Sequence, residues 1–115
     1  MVHTPDEDLA FIAGTVLARQ RVTVAGADGA IVGFIAVSGE WVEQLYLDPG
    51  WTGRGIGSRL LTQAIASLPV AKLYCFQSNV GARRFYERHG FRVEALRSGT
   101  NNEEGLPDIF YVRRR

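Results

Sequence analysis

The sequence predicts a mixed α/β fold in which a single sheet carries helices on its faces. Three observations predict it. Stretches with strand-like alternation and stretches with helical spacing follow one another in mixed order. A glycine-rich turn, Gly53-Arg54-Gly55-Ile56-Gly57, opens directly into a helical stretch, which reads as part of a right-handed strand–helix–strand crossover between parallel strands. The 115 residues hold no linker, low-complexity tract or internal repeat, so residues 1–115 read as one domain.

Taken in order, the elements are a helix, three strands, a helix, a strand, a helix and two strands. Thr4, Pro5 and Glu7 carry the capping signals of a helix start, and Leu9, Ile12, Ala13, Val16 and Leu17 recur at helical spacing behind them. Residues 22–25 and 31–37 read as a hairpin around Ala27-Asp28-Gly29, and Ser38-Gly39 is the next turn. Residues 41–47 form the third strand, in which Trp41, Glu43, Leu45 and Leu47 are expected on one face. Asp48-Pro49-Gly50 ends it. Behind the glycine turn, Ile56, Leu60, Leu61, Ala64, Ile65 and Leu68 form the buried stripe of a helix that Pro69 stops. Residues 71–76 are a strand. Asn79 caps a short helix that runs to His89, with Gly90 as its left-handed exit and apolar Phe91 next. Residues 91–96 and 109–112 are the last strands, separated by the one long loop.

Composition narrows the function. With 46% hydrophobic and 22% charged residues, the chain has the makeup of a globular domain and not of a disordered one. No apolar run approaches the roughly 18 residues of a membrane-spanning helix, so no membrane partner is expected. The formal charge is +1. That balance argues against a nucleic-acid binder built on Arg83, Arg84, Arg88 and the terminal arginines, because phosphate neutralisation needs a basic excess. One cysteine, Cys75, cannot form an internal disulfide and reads as packed core. The first residues show no signal-peptide pattern, so the expected location is the cytoplasm. His3 and His89 lack metal-ligand spacing, and no metal is expected.

The glycine turn is the strongest chemical signal. A helix that starts behind closely spaced glycines presents free backbone N–H groups at its positive end, and a phosphate or diphosphate is the usual guest. Arg54 adds charge inside the turn. A P-loop is excluded, since Gly57 is followed by Ser58 and Arg59 without a lysine. The dinucleotide fingerprint is also excluded: counting from Gly53 its sixth position holds Ser58, and counting from Gly55 it holds Leu60.

These residues carry a family resemblance. Leu45-Tyr46-Leu47-Asp48-Pro49-Gly50-Trp51-Thr52-Gly53-Arg54-Gly55-Ile56-Gly57-Ser58-Arg59-Leu60-Leu61 resembles the acetyl-CoA motif of the GNAT superfamily of N-acetyltransferases, a strand, then Arg/Gln-x-x-Gly-x-Gly/Ala, then a helix. Asn79-Val80-Gly81-Ala82-Arg83-Arg84-Phe85-Tyr86-Glu87-Arg88-His89-Gly90-Phe91 is similar to the family's second signature, Asn-x-x-Ala-x-x-x-Tyr-x-x-x-Gly-Phe. Both stand in the family's order. Thr52 departs from the Arg or Gln usual at its position. The resemblance implies a mostly antiparallel six-stranded sheet with a central splayed parallel strand pair, about three flanking helices, and a shortened N-terminal part that leaves the acceptor groove open or completed by a second subunit.

The resemblance also implies an activity: transfer of the acetyl group of acetyl-CoA to a primary amine of a small molecule or protein. Backbone groups at Leu45, Tyr46 and Leu47 would bond the pantetheine arm, and an N–H near Leu45 would stabilise the oxyanion. Thr52, Gly53, Arg54, Gly55, Ile56, Gly57 and Ser58 would surround the diphosphate, and Asn79 would touch the pantetheine. Tyr86 stands at the position of the general acid, since a phenol with a pKa near 10 holds its proton at neutral pH. Glu43 is the candidate general base, with Glu40 behind it. In the polar loop before the last strand, Glu103, Glu104 and Asp108 are candidate contacts for a cationic amine. The alternative is a non-catalytic module that binds acyl-CoA without turnover. A homodimer is a further expectation, because a small sheet leaves edges to cover.

Overall fold

The computed structural model describes residues 9–17, 20–100 and 102–115. These form seven strands and two helices: β1 (Ala10–Leu17), β2 (Gln20–Ala27), β3 (Ala30–Ser38), β4 (Trp41–Leu47), α1 (Ile56–Ile65), β5 (Val70–Phe76), α2 (Val80–Arg88), β6 (Arg92–Arg97) and β7 (Asp108–Arg114). The chain falls into two compact units, Met1–Ser67 and Leu68–Arg115. The mixed α/β class stands, with one strand more and one helix fewer than expected.

The difference lies at the start. Leu9, Ile12, Ala13, Val16 and Leu17 have helical spacing, yet residues 10–17 are a strand. β1 pairs antiparallel with β2, from Ala10 opposite Gly26 to Leu17 opposite Gln20. Ile12, a member of the supposed buried stripe, is 68% exposed. A partner strand supplies the backbone hydrogen bonds here, and β-branched Ile12 suits a pleated strand. The expected caps Thr4, Pro5 and Glu7 lie outside the described residues.

The first unit has the strand order β1-β2-β3-β4, every pair antiparallel. The β2–β3 turn has two residues, Asp28 at φ 55° and Gly29 at φ 75°, and Ala27 closes the ladder opposite Ala30. Two successive positive φ angles match the right-handed twist of a hairpin, and Asp-Gly is a favoured pair for them. The next turn is Gly39-Glu40, since Ser38 pairs with Trp41, so Glu40 sits in the turn and not on a strand. α1 buries Ile56, Leu60, Leu61 and Ile65, a stripe of helical spacing, and packs against β2, β3 and β4. Ala25, Ile35, Val37 and Val42 complete this core. Each buried aliphatic side chain of α1 contributes about 1.5–3 kcal/mol of transfer free energy.

The second unit has the order β5-β7-β6, also antiparallel. Ala71, Leu73 and Cys75 alternate inward on β5, and Ile109 and Tyr111 of β7 are fully buried. α2 connects β5 to β6 and has no buried residue of its own. β6 is exposed along nearly its whole length, as an edge strand of its unit. Among the described residues, no helix is long and apolar enough to cross a membrane.

Candidate functional site

The candidate residues fall in both units, and each set is built within its own unit. On β4 the pairing register changes between Val42, opposite Val37, and Gln44, opposite Ala36. Glu43 is the extra residue of a β-bulge. The bulge corrects the expected face: Val42, Leu45 and Leu47 share one side, whereas Gln44 and Tyr46 share the other, and Glu43 is exposed and outside the ladder. The Tyr46 ring lies 5.9 Å from that of Phe34, its cross-strand partner, which confirms the second face. Bulges bend a strand and release the backbone of the extra residue from pairing, so the bulge frees backbone groups at Glu43, while Leu45, Tyr46 and Leu47 keep their partners on β3.

A braced turn leads from β4 to the helix entrance. The Asp48 N–H donates to the Val32 carbonyl at 2.7 Å, and Asp48 Oδ1 accepts from the Gly50 N–H at 2.9 Å. Residues Pro49–Trp51 make one 3₁₀ turn. The Thr52 hydroxyl donates to the Pro49 carbonyl at 3.0 Å, so Thr52 closes the turn. Arg54 lays its guanidinium 4.8 Å from the centre of the Trp51 ring. Gly55, the N-cap of α1, sits in the left-handed region at φ 78°, and no side chain caps the helix. The first bond of α1 runs from the Arg59 N–H to the Gly55 carbonyl at 3.1 Å. The N–H groups of Ile56, Gly57 and Ser58 precede it and have no intrahelical acceptor. Ile56 is 1% exposed, so it anchors the start of the helix in the core. Nothing lies within 4 Å of where a Cβ would stand on Gly53 or Gly55. The macrodipole and the uncapped N–H groups give this end of α1 the chemistry that suits an anion.

The second motif explains itself residue by residue in the second unit. Asn79 Oδ1 accepts from the Ala82 N–H at 3.1 Å and caps α2. At the exit, the Tyr86 carbonyl accepts from the N–H groups of His89 and Phe91, and Gly90 stands at φ 89°. Phe91 is buried and meets the Tyr86 ring edge-on, with centroids 5.7 Å apart. The signature residues thus start α2, stop it and pack against the tyrosine between them. Burial pushes the Tyr86 phenol up to about 12, with Cys75 as a smaller electrostatic cause. Burial also raises the Cys75 thiol, in keeping with a packed cysteine.

The loop before β7 is more ordered than its polarity suggests. Asp108 is 4% exposed and accepts two bonds from Arg97, at 2.6 and 2.7 Å. That bidentate pair holds the Asp108 carboxyl below its usual range. Asp108 is therefore tied to Arg97, which corrects its expected role as an amine contact. Asn102 closes the loop on Leu106 through two bonds, at 2.7 and 3.2 Å. Glu103 and Glu104 remain exposed at its tip. Gln77 binds the carbonyls of Arg97 and Asp108 with its side chain, a role no local sequence signal announces. A cleft of about 400 Å³ in the first unit, lined by Phe11, Arg21, Thr23 and Gln63 among others, touches none of the sequence-predicted residues.

Comparison with known proteins decides the family. A family model described as the acetyltransferase (GNAT) domain matches residues 18–93, more than half of the chain. The chain belongs to the GNAT family. An uncharacterized N-acetyltransferase of Escherichia coli K12, YafP, is 34% identical over 77 residues, covering 67% of this chain and 49% of that protein. The peptidyl-lysine N-acetyltransferase YjaB of Salmonella typhimurium is 36% identical over 62 residues, covering 54% of this chain and 43% of the relative. This GNAT chain thus spans about half or less of the length of these two curated relatives. Its fold matches the crystal structure of a GNAT family acetyltransferase from Elizabethkingia anophelis with acetyl-CoA bound, at a TM-score of 0.79 and 15% identity, over 96% of this chain and all of the other.

Proposed function

We propose that this GNAT chain transfers the acetyl group of acetyl-CoA directly to a primary amine of a small molecule or protein. The observation that carries the reading is the entrance of α1, where left-handed Gly55 leaves the first-turn N–H groups without a side-chain cap. The residues fit a diphosphate: Gly53 and Gly55 leave open space where side chains would stand, and Arg54 sits between them. The acetyl-CoA held by the Elizabethkingia anophelis structure supports the same donor.

In this reading the N–H groups of residues 53–58 hold the diphosphate, beside Thr52. The bulged strand β4 offers backbone groups of Leu45, Tyr46 and Leu47 to the pantetheine amides, and an N–H near Leu45 stabilises the oxyanion. Asn79 contributes its amide to the pantetheine besides capping α2. In the reaction an amine lone pair forms the C–N bond, the C–S bond breaks, and the amine loses one proton while the thiolate gains one. Tyr86 serves the thiolate. Its phenol stays protonated at neutral pH because burial raises it to about 12. A phenol is already a weaker acid than a thiol of ordinary pKa near 8.5 and burial widens the gap, so Tyr86 supports the leaving thiolate through a hydrogen bond as the C–S bond breaks, and the thiolate takes its proton in the end from solvent. Glu43, held clear of the β3–β4 ladder by the bulge, takes the amine's proton through water. Exposed Glu103 and Glu104 favour a cationic acceptor, and the name of YjaB makes a lysine side chain the first acceptor to try.

The test is release of free CoA thiol from acetyl-CoA with a panel of lysine peptides, polyamines and small amines. Thiol release that depends on one class of amine supports the reading. Saturable binding with no release across the panel assigns the alternative, an acyl-CoA-binding module. Thr52, which stands where the motif it resembles has Arg or Gln and whose hydroxyl donates to the Pro49 carbonyl, is the feature that favours that alternative.

A further inference from the structure

The second unit holds a part-buried polar contact that the proposed reaction does not use. Tyr111, on β7, is fully buried, and its hydroxyl donates to Glu87 Oε2 at 2.6 Å. Glu87 is on α2, next in sequence to Tyr86. One turn earlier on the same helix is Arg83, whose Nη1 donates to the Gln77 carbonyl at 3.2 Å and whose Nε is buried without a partner. α2 itself buries no side chain completely. Apolar packing therefore gives this helix few fixed points. Contacts that help to place it include the edge contact of Tyr86 with Phe91, Arg83 with the Gln77 carbonyl, and the Tyr111 bond at 2.6 Å.

We infer that Tyr111 is a positioning residue for Tyr86, acting through its hydrogen bond to Glu87. The inference rests on the acyl-transfer reading and adds to it a control on where the acid stands. The physical argument is one of leverage. A hydroxyl held rigidly in the core of β7 fixes one point on α2, and a rotation of the helix about its axis carries Tyr86 with it. Displacements on the order of 1 Å at a reacting group cost rate out of proportion to their effect on binding. A bond to a charged acceptor is also the stronger kind, so Glu87 suits the task better than a neutral side chain would. Burial first and Glu87 second raise the Tyr111 phenol against a lowering by Arg83, so it remains the donor of this bond.

The test uses the full chain with acetyl-CoA and the best amine of the panel. Tyr111→Phe and Glu87→Ala should each lower kcat about tenfold or more, with KM for acetyl-CoA within about twofold of the parent. Glu87→Gln keeps an acceptor oxygen and should recover most of the rate. In a Tyr86→Phe background, Tyr111→Phe should slow the enzyme no further, because its effect passes through Tyr86. A Tyr111→Phe variant with unchanged kcat overturns the inference, as does one whose defect lies in KM or persists without the Tyr86 hydroxyl. If phenylalanine at 111 prevents folding, exposed Glu87 still carries the test through its alanine and glutamine variants. If the parent chain turns over no amine, the acyl-transfer reading fails separately. NMR contacts between the Tyr86 and Phe91 rings then decide the positioning claim: weakened in Tyr111→Phe and Glu87→Ala but kept in Glu87→Gln, or unchanged in all three, which contradicts it.

Discussion

Replacing Gly55 with alanine should destabilise the fold by about 1 kcal/mol, through the backbone alone. Gly55 sits at φ 78° and ψ 5°, a conformation that costs an L-residue about 1–2 kcal/mol. Nothing lies within 4 Å of the new Cβ, so no clash adds to that cost. Alanine also reduces the freedom of the unfolded chain, which offsets about 0.4–1 kcal/mol. Asparagine tolerates the left-handed region better, so Gly55→Asn should lose less. Gly33 provides the contrast. There a Cβ would come within 2.8 Å of the Tyr46 carbonyl oxygen and 3.0 Å of Leu47 Cδ1. Backbone cannot yield as a side-chain tip can, so Gly33→Ala must part β3 from β4 and should cost about 2–3 kcal/mol. Urea denaturation at neutral pH measures all three, with an unchanged slope as the check that only stability has moved. No measurable loss in Gly55→Ala, or a loss larger than that of Gly33→Ala, would refute the conformational argument for the helix entrance.

Other predictions concern proton and charge. Tyr86→Phe should lower kcat about 10²-fold while leaving acetyl-CoA affinity near its parent value, read by steady-state kinetics and calorimetry. The folded Tyr86 phenol stands at about 12 and an unfolded tyrosine near 10. Its contribution to stability is therefore complete below about pH 10 and is lost as pH rises towards 12, and Tyr86→Phe should flatten that part of an alkaline denaturation curve. Asp108 has the opposite sign. Its carboxyl is depressed by Arg97, so its contribution is complete above the ordinary carboxylate pKa near 3.9 and disappears as pH falls through the lower folded value. The stability gap between the parent and Asp108→Asn should close in acid, and a gap that stays constant with pH would count against the ion pair. Arg54→Ala should weaken acetyl-CoA binding in a manner that fades at high salt, as expected for an exposed cation near a diphosphate.

The elements that were legible from sequence are those whose signals are local. α1 shows its stripe in Ile56, Leu60, Leu61 and Ile65, and α2 shows its cap in Asn79 and its exit in Gly90. β4 was read with its observed ends because Gly39 and Pro49 bracket it. What was not legible depends on pairing. Residues 10–17 have a helical arrangement of apolar side chains, and only their ladder with β2 makes them a strand. The bulge at Glu43 exists because β3 and β4 shift register there, so a strict alternation counted along β4 put Glu43 on the wrong face. Asp108 looked available as an acidic loop residue. Its partner Arg97 was in plain view, but which strand end would meet which could not be counted from the sequence. The same holds for Tyr111 and Glu87, brought together across 24 residues.

The most direct examination of the account follows backbone amide shifts during titration of the ¹⁵N-labelled chain with acetyl-CoA, and then with acetyl-pantetheine, which lacks the diphosphate. Saturable shifts concentrated at residues 53–58 with the first compound, and little or no response there to the second, are the result expected if the start of α1 grips the diphosphate. Amides of that segment that stay still at millimolar acetyl-CoA, or that respond equally to both compounds, would contradict it.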